Sequence, residues 1–197
     1  MILSLLACLP QATDLSDPDA TDPTGVETEI TPTTTVDADD AAVRALTDLP
    51  EGRDPCAAPR LARVDFTVDG DTWYGTYEDD GSQAHIRMIG IDTPEVSHEG
   101  EAADCYGNEA WTYAAAQLEG RLAWLTFDGD CEDDYGRTLA YVIRGAGSDG
   151  FFNRRLARTG YADALTIEPN DSYADEIDAD VAAARDADAG MWGACGG

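Results

Sequence analysis

Short runs of alternating apolar and polar residues dominate the chain between residues 61 and 144. Five such runs, rich in branched and aromatic side chains, predict β-strands. They are Leu61–Val68, Thr72–Tyr77, His85–Ile91, Arg121–Phe127 and Thr138–Arg144. Three segments with apolar residues at helical spacing, each followed by a glycine, predict helices: Asn108–Glu119, Phe151–Thr159 and Ser172–Ala189. These elements indicate an α+β, mainly β domain, for which a five-stranded OB-fold barrel with three helices is a natural architecture.

The first 55 residues lack this patterning. Residues 9–55 are rich in Asp, Thr and Pro and poor in apolar side chains, which predicts an acidic disordered linker. A short helical piece near residues 41–49 is compatible with the sequence, and the patterned domain is predicted over residues 56–197. The chain opens with an apolar run ending in Leu-Leu-Ala-Cys, a pattern typical of a bacterial lipoprotein signal over residues 1–8 with a lipidated Cys8. The positive segment usual in such signals is missing, so a chance apolar N-terminus is the alternative.

The charge is strongly negative. There are 40 acidic residues against 12 basic ones, giving a formal net charge of −28, and every basic residue is an arginine. A GC-rich genome or a saline habitat would each produce such a composition. The charge argues against passive attraction to nucleic acid, which normally depends on a basic face.

The five cysteines add information about the compartment. Without Cys8, the remaining four are an even number, which is compatible with two disulfides in an exported protein. Four cysteines allow three pairings. A zinc site is the competing interpretation, but no Cys-x-x-Cys or Cys-x-x-His spacing supports it.

Acidic residues stand at the ends of the second and third predicted strands. Asp71 precedes the second strand, Asp92 follows the third, and Glu95 comes three residues later, while Arg87 lies within the third strand. Asp, Gly and Pro are turn residues, so DGD and DTPE could be ordinary acidic turns. If the hairpin folds, however, these side chains gather at one end of a small sheet.

A third acidic segment, residues 133–137, places Arg137 at the start of the fifth predicted strand. Paired carboxylates suit Ca²⁺ or Mg²⁺. Two guanidinium groups can clamp a phosphate, and a nearby carboxylate can orient or deprotonate water. These are the parts of a metal-assisted phosphodiester hydrolase. The spacing alone is equally compatible with two structural salt bridges.

Six sequence blocks together resemble the staphylococcal nuclease-like (thermonuclease) family. They are Val68–Thr72, Arg87–Glu95, Tyr106–Ala110, Asp133–Tyr141, Phe152-Asn153 with Gly160–Ala162, and Gly190–Trp192. They occur in the family order and cover roughly residues 61 to 195. The resemblance implies an OB-fold barrel with three helices. It also implies Ca²⁺-dependent cleavage of DNA and RNA between phosphorus and the 5′ oxygen, which leaves 3′-phosphate ends.

The resemblance also implies a role for each matching residue. Asp71 and Asp92 would be Ca²⁺ ligands together with the main-chain carbonyl of Thr93. Glu95 would be the general base or the group that positions the attacking water. Arg87 and Arg137 would bind the scissile phosphate and stabilise its transition state, and Tyr135 would be part of the nucleotide site. Because the segments around Cys105 and Cys131 border the active site in this family, the resemblance favours a Cys105–Cys131 disulfide, with Cys56–Cys195 joining the ends of the domain.

The accessory surface departs from the family pattern. Asp134 stands where the family often has a basic residue, the loop from His98 to Cys105 is acidic, and residues 166–168 replace substrate-contacting aromatic residues. Two hypotheses follow. The first is an exported or lipid-anchored, monomeric, Ca²⁺-dependent nuclease acting on DNA or RNA. The second is a non-catalytic OB-fold binding module for protein or peptide partners.

Overall fold

The computed structural model describes residues 34–97 and 102–196. Its helices are α1 (Thr34–Arg44), α2 (Gly107–Leu118), α3 (Gly147–Gly150), α4 (Phe152–Arg158), α5 (Ala174–Asp186) and α6 (Met191–Ala194). Its strands are β1 (Arg60–Thr67), β2 (Thr72–Tyr77), β3 (Gln83–Met88), β4 (Gly90–Asp92), β5 (Leu122–Thr126), β6 (Thr138–Ile143) and β7 (Asp163–Leu165). The three predicted helices correspond to α2, α4 and α5.

Five strands close into a barrel in the order β1-β2-β3-β6-β5, and β5 pairs with β1 to complete it. All pairs are antiparallel except β3 with β6, which are parallel. Alternate residues of each strand point inwards, and the interior includes Trp73, Ile86 and Leu125, each fully buried. The predicted α+β class and five-stranded barrel are confirmed.

The third predicted strand, His85–Ile91, is divided in the structure. Gly90 has a φ of +82°, which only glycine adopts readily, and the chain turns there from β3 into β4. The strand β4 leaves the barrel and pairs with β7, with Asp92 opposite Asp163. The fully buried Asn153 of α4 holds this departure in place, because its amide donates to the carbonyl of Ile89 at 2.9 Å and accepts from the N–H of Val142 at 2.8 Å.

The predicted disordered linker is wrong for residues 34–55. Val43 of α1 is 1% exposed, and its carbonyl accepts a hydrogen bond from the indole of Trp124 at 2.9 Å. Asp40 accepts from the N–H of Leu122 at 2.9 Å and pairs with Arg63 at 2.9 Å. A few buried apolar residues, and acids that form ion pairs with arginines of the barrel, are enough to hold this segment against the barrel. Its average composition is nevertheless that of a linker. Cys8 and residues 9–33 lie outside the described residues.

Among the described residues, no helix combines the length and apolar character that crossing a membrane requires.

The predicted disulfide pairing is also wrong, since the structure joins Cys56 to Cys131 and Cys105 to Cys195. The segment before β1 runs beside the end of β5, where Gly52 donates to the carbonyl of Phe127 at 2.9 Å and Cys56 to that of Asp128 at 2.7 Å. This path brings Cys56 to Cys131 rather than to the C-terminus. Cys195 lies at the end of α6 and reaches Cys105, just before α2.

Candidate active site

The turn between β1 and β2 is built around Asp69. Its carboxylate accepts the N–H groups of Asp71 at 2.9 Å and Thr72 at 2.6 Å, which fixes the turn locally. A Cβ on Gly70 would lie 2.7 Å from the side chain of Thr93, so the turn needs glycine to pack directly on the segment after β4. As a result, Asp71 points inwards and is 4% exposed.

The buried carboxylate of Asp71 is fully engaged. It pairs with the guanidinium of Arg87 and accepts hydrogen bonds from the N–H of Thr93 at 2.8 Å, the hydroxyl of Thr93 at 3.1 Å and the hydroxyl of Thr72 at 3.0 Å. Burial raises the pKa of Asp71 to about 7, and the charge of Arg87 offsets that effect only in part. A further positive charge beside this group would therefore stabilise its ionised form.

Arg87 joins the two predicted metal ligands. One terminal nitrogen of its guanidinium binds Asp71 and the other lies 2.7 Å from Asp92 Oδ1. The structure thus brings Asp71, Asp92, Thr93 and Arg87 together at one end of the barrel.

The oxygen donors at this point fit a hard divalent cation. The carboxylates of Asp71 and Asp92 lie on either side of the Arg87 guanidinium, and Asp71 accepts a hydrogen bond from the main chain of Thr93. Carboxylate and carbonyl oxygens are the ligands that Ca²⁺ prefers. No group of three or more acidic, His or Cys side chains in the described part of the chain is arranged around a metal position. A cation bound here would therefore complete its shell with main-chain oxygen, water or substrate.

Arg137 is held by a local turn. Asp133 accepts hydrogen bonds from the main chain of Tyr135 at 3.0 Å, the main chain of Arg137 at 2.9 Å and the Nε of Arg137 at 2.7 Å. Partial burial would raise the pKa of Asp133, but these hydrogen bonds and the charge of Arg137 lower it below its ordinary value. Tyr135 is 85% exposed and its ring centre lies 5.5 Å from the Arg137 guanidinium.

The two arginines line the same cleft, which has a volume of about 410 Å³. Both line it because β3 and β6 are neighbouring parallel strands, and Arg87 is in register with Leu139, two residues after Arg137. The cleft is also lined by acids and by partly exposed apolar side chains: Asp130, Glu132, Asp133, Asp134, Glu168, Leu165 and Ile167. Two convergent guanidinium groups in a concave site can bind a phosphate in bidentate fashion.

Glu95 is exposed, and its main chain is held by Asp104 and by the first turn of α2. Its N–H donates to the carboxylate of Asp104 at 3.3 Å, and its carbonyl accepts from the N–H of Asp104 at 2.9 Å. A Cβ on Gly107 would collide with the same carbonyl, so the first turn of α2 packs against this peptide. Glu95 does not line the cleft between the arginines in the described structure. It follows the metal-ligand candidates directly along the chain.

Each disulfide lies beside one of these segments. Cys105 stands between Asp104 and Gly107, and Cys131 accepts a hydrogen bond from the N–H of Leu139 at 2.9 Å, behind the turn that carries Arg137. Both bridges therefore brace the framework of the site, although not in the predicted pairing.

Removing the Cys105–Cys195 bridge by a double serine substitution is expected to reduce both stability and turnover. The bridge spans 90 residues, and the loss of such a cross-link costs about 4–5 kcal/mol in the chain-entropy model. Turnover should fall further than in the Cys56→Ser/Cys131→Ser variant, because Cys105 is adjacent to Asp104, whose hydrogen bonds hold the main chain of Glu95. Urea denaturation measures the loss of stability, and kcat at a temperature where both variants are folded measures the loss of turnover. Equal turnover in the parent and in the folded variant without the Cys105–Cys195 bridge would contradict this expectation.

Several residues of this framework could have been found from sequence. The Asp-Gly-Asp-Thr order is typical of a carboxylate-capped turn, and Asp133 stands four residues before Arg137. Asp104 offered no such signal, because it is one acid among many in an acidic loop.

Comparison with known proteins agrees with this geometry. Residues 85–194 match the family model described as staphylococcal nuclease homologue. The chain is 38% identical over 116 residues to a thermonuclease of Staphylococcus hyicus, covering 59% of this chain and 66% of that relative. It is 38% identical over 110 residues to a thermonuclease of Staphylococcus intermedius (56% and 62%) and 31% identical over 136 residues to endonuclease YncB of Bacillus subtilis (68% and 62%).

The matched region thus spans just under two thirds of each of these three relatives. The family model covers more than half of the chain, and its matched residues include Arg87, Glu95 and Arg137. The resemblance seen in the sequence is confirmed: this chain belongs to the staphylococcal nuclease homologue family.

Proposed function

We propose that this protein is an exported, monomeric, Ca²⁺-dependent nuclease that hydrolyses phosphodiester bonds of DNA or RNA and leaves 3′-phosphate ends. The observation that carries the proposal is the convergence of Arg87 and Arg137 on one cleft, with Arg87 bound to both Asp71 and Asp92. The thermonuclease and endonuclease names of the relatives support the same activity.

The two arginines would bind the scissile phosphate. Charge accumulates on the phosphoryl oxygens during in-line displacement, and positioned guanidinium groups stabilise it. In the structure Arg137 is paired with Asp133 at 2.7 Å, so a bound phosphate would share or replace that partner. Asp71, Asp92 and the carbonyl of Thr93 would hold the Ca²⁺, which supplies positive charge beside the phosphate.

Glu95 would act on the attacking water. Its carboxylate would accept a proton as the water oxygen bonds to phosphorus. The bond from phosphorus to the 5′ oxygen breaks, and the 5′ oxygen leaves with the electron pair and takes a proton from solvent. The products are a 3′-phosphate end and a 5′-hydroxyl end. The main chain of Glu95 is hydrogen-bonded to Asp104 and packed against Gly107, which supports the role of a group that must be positioned for this step.

The acidic surface leads to an unusual salt dependence. Nuclease KM for DNA is expected to fall roughly fivefold between about 0.1 M and about 1 M NaCl, because the Debye length shrinks from about 10 Å to about 3 Å and screens repulsion between acids and phosphates. A small phosphodiester with one negative charge is the control, since its KM should change much less. A KM for DNA that rises with salt, as for proteins with a basic face, would contradict the expectation.

Incubation of the purified protein with DNA and with RNA, with Ca²⁺ or a chelator and across a salt series, tests the proposed activity. We expect cleavage only with Ca²⁺, producing fragments whose 3′ ends become extendable after phosphatase treatment. Absence of Ca²⁺-dependent cleavage at every salt concentration would reject the nuclease and favour the non-catalytic binding module.

We also propose that the protein is held at the membrane through a lipid on Cys8. The Leu-Leu-Ala-Cys sequence supports this, and the two disulfides support an oxidising compartment. Fractionation of cells that express the full chain should place the protein with membranes and the Cys8→Ser variant in the soluble fraction. The same distribution for both proteins would reject the anchor.

A further inference from the structure

Three aromatic side chains form a continuous stack across the outer face of the barrel. Phe66 of β1 is in register with Tyr74 of β2, which is in register with His85 of β3. The ring centres of Phe66 and Tyr74 are 4.9 Å apart, and those of Tyr74 and His85 are 4.1 Å apart, with interplanar angles of 25° and 11°. We call these three residues the aromatic row.

A β-bulge creates the open end of the aromatic row. The register of β1 with β2 shifts between Val64 and Phe66, so that Asp65 and Phe66 are both exposed where regular alternation would bury one of them. Asp65 is turned aside to accept a hydrogen bond from the hydroxyl of Thr76 at 2.9 Å. Phe66 is 52% exposed although one face of its ring is covered by Tyr74.

The other end of the aromatic row meets the candidate active site. His85 is two residues before Arg87, and residues i and i+2 of a strand lie on the same face of the sheet. Ile86 is in register with Thr138 of the parallel strand β6, which places Arg137 beside His85 at the same level of the barrel. The aromatic row therefore leads from Phe66 to Arg87 on β3, two strand spacings away, and to Arg137 beside β6, three strand spacings or about 14 Å away.

Most of the positive charge in this chain is already neutralised. All twelve arginines lie among the described residues, and every one except Arg155 forms an ion pair with a carboxylate. A polynucleotide thus finds few free cations along its path to the cleft. Stacking of nucleobases on aromatic rings needs no net charge and tolerates every base sequence.

We propose that Phe66, at the open end of the aromatic row, is a base-stacking subsite for single-stranded nucleic acid, about 14 Å from the site where Arg87 and Arg137 would bind the phosphate. The base extends the existing stack on the face of the Phe66 ring that Tyr74 does not cover. The edges of Tyr74 and His85 then provide an uncharged path for the strand from Phe66 to the two arginines. This subsite rests on the proposed nuclease function, but it is defined by binding rather than by cleavage.

Binding measured in a Glu95→Gln background tests the proposal, because that substitution prevents the oligonucleotide from being cut. The probes are a fluorescent oligothymidylate and an oligonucleotide of equal length and charge in which abasic spacers replace the bases. Phe66→Thr, which keeps a strand-forming residue, is expected to weaken oligothymidylate binding about tenfold and to leave binding of the abasic probe unchanged. The loss should persist at high salt, and Phe66→Tyr should restore the affinity of the parent.

Tyr113→Leu is the matched control, since Tyr113 stacks on Tyr161 at 4.2 Å in a separate aromatic group on α2. It should leave both affinities unchanged. Equal affinity of Phe66→Thr and parent for oligothymidylate, an equal loss for both probes, or failure of Phe66→Tyr to restore binding would each overturn the proposal. Absence of catalysis in the parent protein, which retains Glu95, would reject the proposed function. The binding measurement with the Glu95→Gln background would still be valid.

Discussion

Replacing Glu95 by glutamine is expected to lower kcat for DNA cleavage by about 100- to 10,000-fold, the usual contribution of a positioned general base. Glutamine keeps the shape of the side chain but cannot accept the proton of the attacking water. The substrate should bind nearly as well as before, because Glu95 does not line the cleft that contains the arginines. Single-turnover cleavage at saturating Ca²⁺ measures the chemical step directly.

Glu109→Gln is the control for this substitution. Glu109 is an exposed acid in the first turn of α2, close in sequence to Gly107, and its change should leave kcat unaltered. The melting temperature of both variants should match that of the parent, since exposed substitutions usually change stability by less than about 0.5 kcal/mol. An unchanged kcat in Glu95→Gln would remove Glu95 from the chemistry.

Replacing Arg87 by lysine is expected to lower kcat/KM by about 100- to 1,000-fold, the cost of losing one group that stabilises the transition state. Lysine has one compact charge and cannot bind Asp71 and Asp92 while also presenting a second nitrogen to a phosphate. Because Asp71 is 4% exposed and depends on Arg87 for charge compensation, the substitution should also reduce stability.

Arg60→Lys provides the matched comparison. Arg60, the first residue of β1, also pairs with two acids, Asp79 at 2.5 Å and Asp80 at 3.0 Å. These acids lie in the exposed turn between β2 and β3, and none of the three residues lines the cleft. Its replacement should leave activity intact. If Arg87→Lys lost stability while keeping the parent's kcat/KM at a temperature where it is folded, Arg87 would be a structural ion-pair residue only.

The barrel could be predicted from sequence because its strands alternate between interior and surface. Thr72–Tyr77 has the same bounds in prediction and structure, and Thr138–Arg144 differs from β6 by one residue. The break at Gly90 could not be predicted from that pattern, since Ile89 and Ile91 continue the apolar run on either side. It depends on a positive φ and on Asn153, more than sixty residues away in the chain.

The structure of the site could be predicted only in part. The spacing in the sequence predicted that Asp71, Arg87 and Asp92 lie at one end of a hairpin. It did not predict that the guanidinium of Arg87 binds both carboxylates. The predictions of the disulfide pairing and of disorder in residues 34–55 were wrong for a related reason. Both depend on which distant segments lie side by side, such as Cys56 beside the end of β5, and local composition carries no information about that.

A double-mutant cycle with Arg87→Lys and Arg137→Lys tests most directly whether the two arginines act on one phosphate. If both stabilise the same transition state, the loss of kcat/KM in the double variant should be much smaller than the product of the two single losses, because the first substitution already disables the unit. Losses that multiply independently, or single variants that cleave DNA like the parent, would contradict a shared phosphate site between Arg87 and Arg137.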